Sequence, residues 1–406
     1  MGGSADAGTL TITNALIFDG ESADLAEGSI RAEGGVIAEA GPGARPAGQV
    51  IDARGQTVVP GLIDAHFHAY AARLGLLETE TSRLSYLALA GARRLEAALR
   101  RGFTTVRDVA GGDAGLAAAI AEGLLTAPRY LYTGAALSQT GGHGDPRAPW
   151  QDLCACGAHT TEVVDGVDPL RRAVRERFRQ GAHAIKMMTS GGVASPADPI
   201  RPPQYSAEEI RAVTGEAARR GSYVAAHAYS AESVIHSVEN GIRTVEHGNL
   251  IDEAAAAAMA TAGAFLVPTL VAYDAMERRG RALGLAPVSQ AKNSEVLHAG
   301  KRAIEIASAA GVRIGFGTDL IGTLDDDQLI GLRLQCEVTG PLAVLRSATS
   351  VNADLLGATD LGRIRPGAAA DLLLLDGNPL ERPELLWSGP EHRTVIQAGV
   401  PLAPGG

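Results

Sequence analysis

From residue 66 to residue 319, short apolar runs alternate with helical stretches, and several of those runs end in histidine, lysine or aspartate. Few folds accommodate that rhythm. Apolar strands separated by helices imply a parallel sheet covered on both faces. The runs fall at 58–68, 104–109, 130–137, 184–188, 223–227, 244–247, 265–268 and 313–319. Helical stretches sit between them, at 85–100, 207–220 and 291–310, with a last one at 341–356. Eight such units predict an α/β fold, a (β/α)₈ TIM-type barrel whose working residues stand at the C-terminal ends of the strands.

The two ends of the chain read differently. Residues 9–51 give short strands broken by glycine, with turn signals at Asp19-Gly20 and Gly34-Gly35. Strand character returns at 370–376 and 393–399. The expectation is a small composite β-sandwich domain from residues 9–60 and 363–404, beside a barrel of residues 61–362. The least regular stretches, 138–166 and 190–204, are rich in glycine and proline. They are expected over the barrel mouth, where loops carry substrate contacts.

The polar residues at the strand ends carry chemistry. In a strand, side chains alternate faces, so His66 and His68 point the same way and can chelate one ion. Lys186, His227, His247 and Asp319 end later runs. Four imidazoles and a carboxylate suit Zn²⁺ and tolerate Mn²⁺, Fe²⁺ or Co²⁺. A protonated Lys186 would repel a cation, whereas carbamylation by CO₂ would make it an anionic bridging ligand between two metals.

This ordered set resembles the amidohydrolase superfamily, in its two-metal branch. The nearest subgroup is similar to the imidazolonepropionase-like hydrolases that include Xaa-Pro and Xaa-Arg dipeptidases and ochratoxinase. The similar stretches are Gly141-Gly142-His143-Gly144-Asp145, residues 186–193, His227-Ala228-Tyr229, residues 246–252 and residues 317–322. The resemblance implies that His66, His68 and Asp319 hold one divalent metal, His227 and His247 a second, and carbamylated Lys186 both. It implies a metal-bridging hydroxide as nucleophile and Asp319 as proton shuttle. His143 would hydrogen-bond the substrate carbonyl. Tyr229, on the face of His227, would donate to a substrate carboxylate or to the oxyanion, with His143, Arg147 and Arg201 as further candidates for the carboxylate. The loop at 320–328 departs from many relatives, which carry a further histidine there; here it holds Asp325-Asp326-Asp327, read as a solvated charge run.

The expected activity is metal-dependent cleavage of an amide C–N bond, in a dipeptide or N-acyl amino acid. The alternatives are a cyclic amide or imidazolone hydrolase, a deaminase, and a non-catalytic barrel that binds a small molecule. Lys186 argues against the deaminase, and the complete donor set argues against the non-catalytic barrel. A net charge of −10 disfavours nucleic acid and anionic membranes as partners. Three cysteines make no disulfide framework, and no signal peptide or membrane span is read, so a cytoplasmic protein is expected, as a homo-oligomer. Cys154 and Cys156 with His159 fall one ligand short of a zinc site. His183, His236, His298 and His392 are expected at the surface.

Overall fold

Buried apolar strands joined by helices must pair in parallel, and the alternating part of the chain does so. The computed structural model describes residues 8–147, 159–195 and 198–403. Its first strands are β1 (Leu10–Ile17), β2 (Ala26–Glu33), β3 (Val36–Gly41), β4 (Gln49–Asp52) and β5 (Thr57–Pro60). The barrel follows with β6 (Leu62–Phe67), β7 (Phe103–Asp108), β8 (Arg129–Tyr132), β9 (Ala136–Ser138), β10 (Thr161–Val163), β11 (Ile185–Met188), β12 (Val224–Ser230), β13 (Thr244–Leu250), β14 (Phe265–Val267) and β15 (Arg313–Ile314). The chain ends in β16 (Leu372–Leu375), β17 (Arg393–Gln397) and β18 (Val400–Pro401).

Strands β6, β7 and β8 form one parallel run, and β10, β9, β11, β12, β13, β14 and β15 another. Backbone bonds at both seams join the runs into a ring. Ala65 N–H donates to Phe316 O at 2.9 Å, and His183 N–H to Tyr132 O at 2.7 Å. The result is a TIM-type barrel. Its helices bury one stripe each: in Leu84–Arg100, Leu87, Leu95, Ala98 and Leu99 face inward, the spacing of a helix with one apolar face. Ser206 and Glu209 form a reciprocal cap at the start of Ala207–Ala218.

Both ends of the chain meet in one sheet, in the order β18-β17-β16-β5-β1-β2-β3, with β4 on β1. The sheet curls over, because Val36 bridges to Ala369 just before β16. Strand β16 explains how this unit attaches to the barrel. Its four leucines alternate faces. Leu372 and Leu374 enter the sheet's own core, with Ile12, Ile30 and Ile37. Leu373 and Leu375 enter the core shared with Phe67, Leu99 and Phe103 of the barrel. Burying each leucine is worth about 1.5–3 kcal/mol.

Three local expectations need correction. The run at 130–137 is two strands, β8 and β9, because the chain turns at Gly134, whose φ is +71°. The run at 313–319 keeps ladder geometry only at Arg313–Ile314; beyond it, Gly315 and Gly317 let the chain cross the barrel without regular pairing. The helix expected at 341–356 is interrupted by a wider turn at Ser347–Val351. In addition, the stretch at 138–166 contributes a short strand, β10, paired with β9. Cys154 and Cys156 lie outside the described residues, as does residue 404.

Candidate active site

The barrel mouth opens into a cavity lined by apolar and donor-type side chains. His66, His68, Lys186, His227, His247 and Asp319 all line it, and so do His143 and Tyr229. The side chains come from β6, β11, β12 and β13 and their ends, from the segment after β15 and, for His143, from the loop after β9. Those ends are strained where function needs them. His247 has φ +77° and Asp319 φ +53°, left-handed values that cost a non-glycine residue about 1–3 kcal/mol. Gly317 allows the close passage there: a Cβ at that position would stand 2.6 Å from His66 Cβ.

One donor atom each of His66, His68 and Asp319 lies within 4.8 Å of the others. Asp319 Oδ1 is 2.9 Å from His68 Nε2 and 3.4 Å from His66 Nε2. The rings of His227 and His247 stand 4.5 Å apart, and that of His247 lies 5.1 Å from His66. Three of the imidazoles, those of His66, His247 and His227, are oriented from behind. His66 Nδ1 is 2.8 Å from Glu246 Oε2, which turns Nε2 to the cavity. His247 Nδ1 is 2.8 Å from both Thr269 Oγ1 and the Tyr273 hydroxyl. His227 Nε2 is 3.1 Å from Gly191 O.

The electrostatics suit a cation site. Burial would raise the Asp319 carboxyl, but the His66 charge and hydrogen bonds from His66 and His68 outweigh it and hold Asp319 well below the ordinary carboxylate value. Burial lowers Lys186 to about 8, against the opposing pull of Glu246 and Asp319. Burial also keeps His227 and His247 neutral, the form that ligates metals. Neutral His227 and His247, the Asp319 carboxylate and a lysine whose pKa is lowered by burial fit divalent cations at this mouth.

Several residues here carried no sequence signal of their own. Glu246 takes the Arg107 guanidinium at 2.7 Å, and both side chains are fully buried. Arg107 Nε also donates to Ala65 O at 2.6 Å, just before His66. Burial opposes the Glu246 carboxylate, yet the Arg107 charge holds its pKa far below the ordinary value. Arg94 donates to Leu320 O at 2.7 Å and Gly322 O at 2.6 Å, which fixes the loop after Asp319.

The proposed substrate contacts divide. His143 stacks on His227 at 4.2 Å, with Nδ1 2.9 Å from Ser195 Oγ. Tyr229 is buried, its hydroxyl 2.8 Å from that of Tyr273. Arg147 lines an outer vestibule and pairs with Asp145 at 2.6 Å. Arg201 is not brought to the cavity; its exposed side chain pairs with Glu295, which holds it over the outside of the barrel. The aspartate run is paired rather than merely solvated: Asp325 faces Arg94, Asp326 faces Arg101, and Asp327 faces Arg278 and Arg279. His183 and His236, expected at the surface, are half-buried, because each caps a carbonyl, those of Leu356 and Tyr205.

A barrel mouth of this composition has counterparts among known proteins, and the Amidohydrolase family profile matches residues 57–402. The chain belongs to that family and is a hydrolase acting on C–N bonds. It is 34% identical to ochratoxinase of Aspergillus niger over 346 residues, covering 80% of this chain and 71% of the relative. It is also similar to two crystal structures. One is an amidohydrolase, at 44% identity and TM-score 0.95, covering 98% of this chain and 99% of that one. The other is a prolidase complexed with N-methylphosphonate-L-proline, at 43% identity and TM-score 0.94, covering 97% and 99%. No helix among the described residues is long and apolar enough to cross a membrane.

Proposed function

We propose that the protein hydrolyses the amide bond of a dipeptide or N-acyl amino acid. The observation that carries this reading is the convergence of six donor-type side chains with His143 and Tyr229 around one cavity. His66, His68 and Asp319 would hold one divalent ion, His227 and His247 a second, and carbamylated Lys186 both, with Zn²⁺ favoured by the imidazole-rich set. When bound, such ions supply Lewis acidity to a carbonyl oxygen and to water.

The chain's own groups do the rest. Asp319, charged at neutral pH, accepts a proton from the attacking water and delivers it to the leaving nitrogen. His143 hydrogen-bonds the carbonyl oxygen as negative charge develops there. Tyr229 reads the carboxylate of the released amino acid. The contacts behind it support that role: with His247 Nε2 on a metal, Nδ1–H would donate to the Tyr273 or Thr269 hydroxyl, and a Tyr273 proton given to Tyr229 O would leave the Tyr229 proton for an acceptor in the cavity. Leu74, Leu76, Val193, Met276 and Ile321 line the cavity with apolar surface, which suits an uncharged acyl group or side chain.

The similarity to a prolidase complexed with a proline phosphonate favours a C-terminal proline among dipeptides, and the similarity to ochratoxinase favours N-acyl amino acids. Screening the metal-loaded protein against libraries of both decides between them. Cleavage of cyclic amides or ring amines in place of either would refute the reading.

A further inference from the structure

Lys292 stands on the helix Pro287–Ala309, away from the strand ends. Its ammonium donates to three backbone oxygens of one loop: Asp198 O at 2.6 Å, Ser195 O at 2.8 Å and Gly192 O at 3.1 Å. That loop follows β11 and reaches the site at several points. Gly191 O contacts His227 Nε2, and Val193 and Ala194 line the cavity. Gly192 lies flat against His143, where a Cβ would stand 2.1 Å from the ring's Cε1.

Within the loop, the buried Asp198 carboxylate is the hub. It accepts from Gly192 N–H at 3.1 Å, from the Gln204 amide at 3.2 Å and from the Ser195 hydroxyl. The Gln204 carbonyl oxygen in turn accepts from His143 N–H at 3.1 Å. Ser195 Oγ stands 2.9 Å from His143 Nδ1. The loop thus grips His143 at its backbone, its ring face and Nδ1, where Ser195 Oγ, its own proton given to Asp198, is placed to accept.

We infer that Lys292, Asp198 and Ser195 are positioning residues, a clasp that sets the His143 ring against the scissile carbonyl. The inference rests on the amide-hydrolase reading for the role of His143. Lysine suits the position: a compact cation with three donors satisfies three carbonyls at once. Lys292 does not itself line the cavity, so removing it frees the loop without deleting a lining side chain. A misplacement of about 1 Å at a reacting group can cost on the order of a hundredfold in rate.

The test combines kinetics with hydrogen exchange on the metal-loaded protein. Lys292→Met is expected to lower kcat about ten- to a hundredfold with KM within about twofold, and to speed amide exchange in residues 190–195. Ser195→Ala should give a similar kcat loss, and Ser195→Thr, which keeps the hydroxyl, should restore most of it. Wild-type kcat in Lys292→Met overturns the inference. So does a matched fall in thermal stability, kcat and affinity, which marks a merely structural strut. Failure of the wild-type protein to cleave any dipeptide or N-acyl amino acid refutes the functional reading. The exchange arm still decides on the clasp, and unchanged exchange at 190–195 overturns it.

Discussion

Carbamylation of Lys186 requires a neutral amine, so its rate must follow the titration of that group. Burial sets the pKa in the metal-free protein at about 8, against an ordinary 10.5. At pH 7 about one amine in eleven is then neutral, compared with about one in 3,000 at the ordinary value. The perturbation is pH, applied to metal-stripped protein at fixed dissolved CO₂ before metal is added back. A lowered pKa means the reactive form grows as pH rises and saturates once the pKa is passed. Recovery of activity should therefore accelerate about tenfold from pH 6 to 7, about fivefold from 7 to 8 and less than twofold from 8 to 9. Carbon-13 NMR with labelled CO₂ should follow the same curve. A rate still climbing tenfold per unit through pH 9 would refute the claim that burial has lowered Lys186. Recovery indifferent to CO₂ would refute the carbamate itself.

Four further outcomes follow from the site. Elemental analysis of protein grown with supplementary metal should give near two equivalents per chain; one equivalent with full activity would exclude a two-ion centre. Asp319→Asn should lower kcat by about 10²–10⁴, and a loss under tenfold would remove Asp319 from proton transfer. Tyr229→Phe should cut kcat/KM about ten- to a hundredfold on substrates with a free carboxylate, from about 1.5–3 kcal/mol for a hydrogen bond to a charged group. An equal loss on amide-capped substrates would deny it that role. Arg107→Met strands the buried Glu246 carboxylate and should cost about 3–5 kcal/mol in urea unfolding; a cost below 1 kcal/mol would mean that Glu246 is satisfied without it.

The barrel was legible because each strand is an apolar run that ends where the sheet meets solvent, and a parallel strand buried on both faces leaves that mark in any sequence. The ligand-type residues were legible for the same reason, since a polar residue closing such a run has a known direction. What escaped needed pairings far apart in the chain. Glu246 and Arg107 sit inside strands, and nothing local says that 139 positions apart they neutralise one another. Tyr273 and Thr269 follow β14, where the sequence offers no histidine to draw attention, yet they orient His247. The aspartates at 325–327 looked solvated because the arginines that face them come from two distant segments, the helix Leu84–Arg100 with its cap Arg101, and residues 278–279. Gly134 and Gly315 broke strands that propensity alone would have continued.

The seating of β16 against β5 has a consequence for biosynthesis. Val58 and Val59 pair with Leu374 and Leu373, so the strand that leads into the first two ligand-type residues gains this partner only after every barrel strand has been synthesised. At roughly 5–20 residues per second, the wait is on the order of 15–60 seconds. A nascent chain stopped before residue 372 presents His66 and His68 on a segment whose neighbour has an open edge.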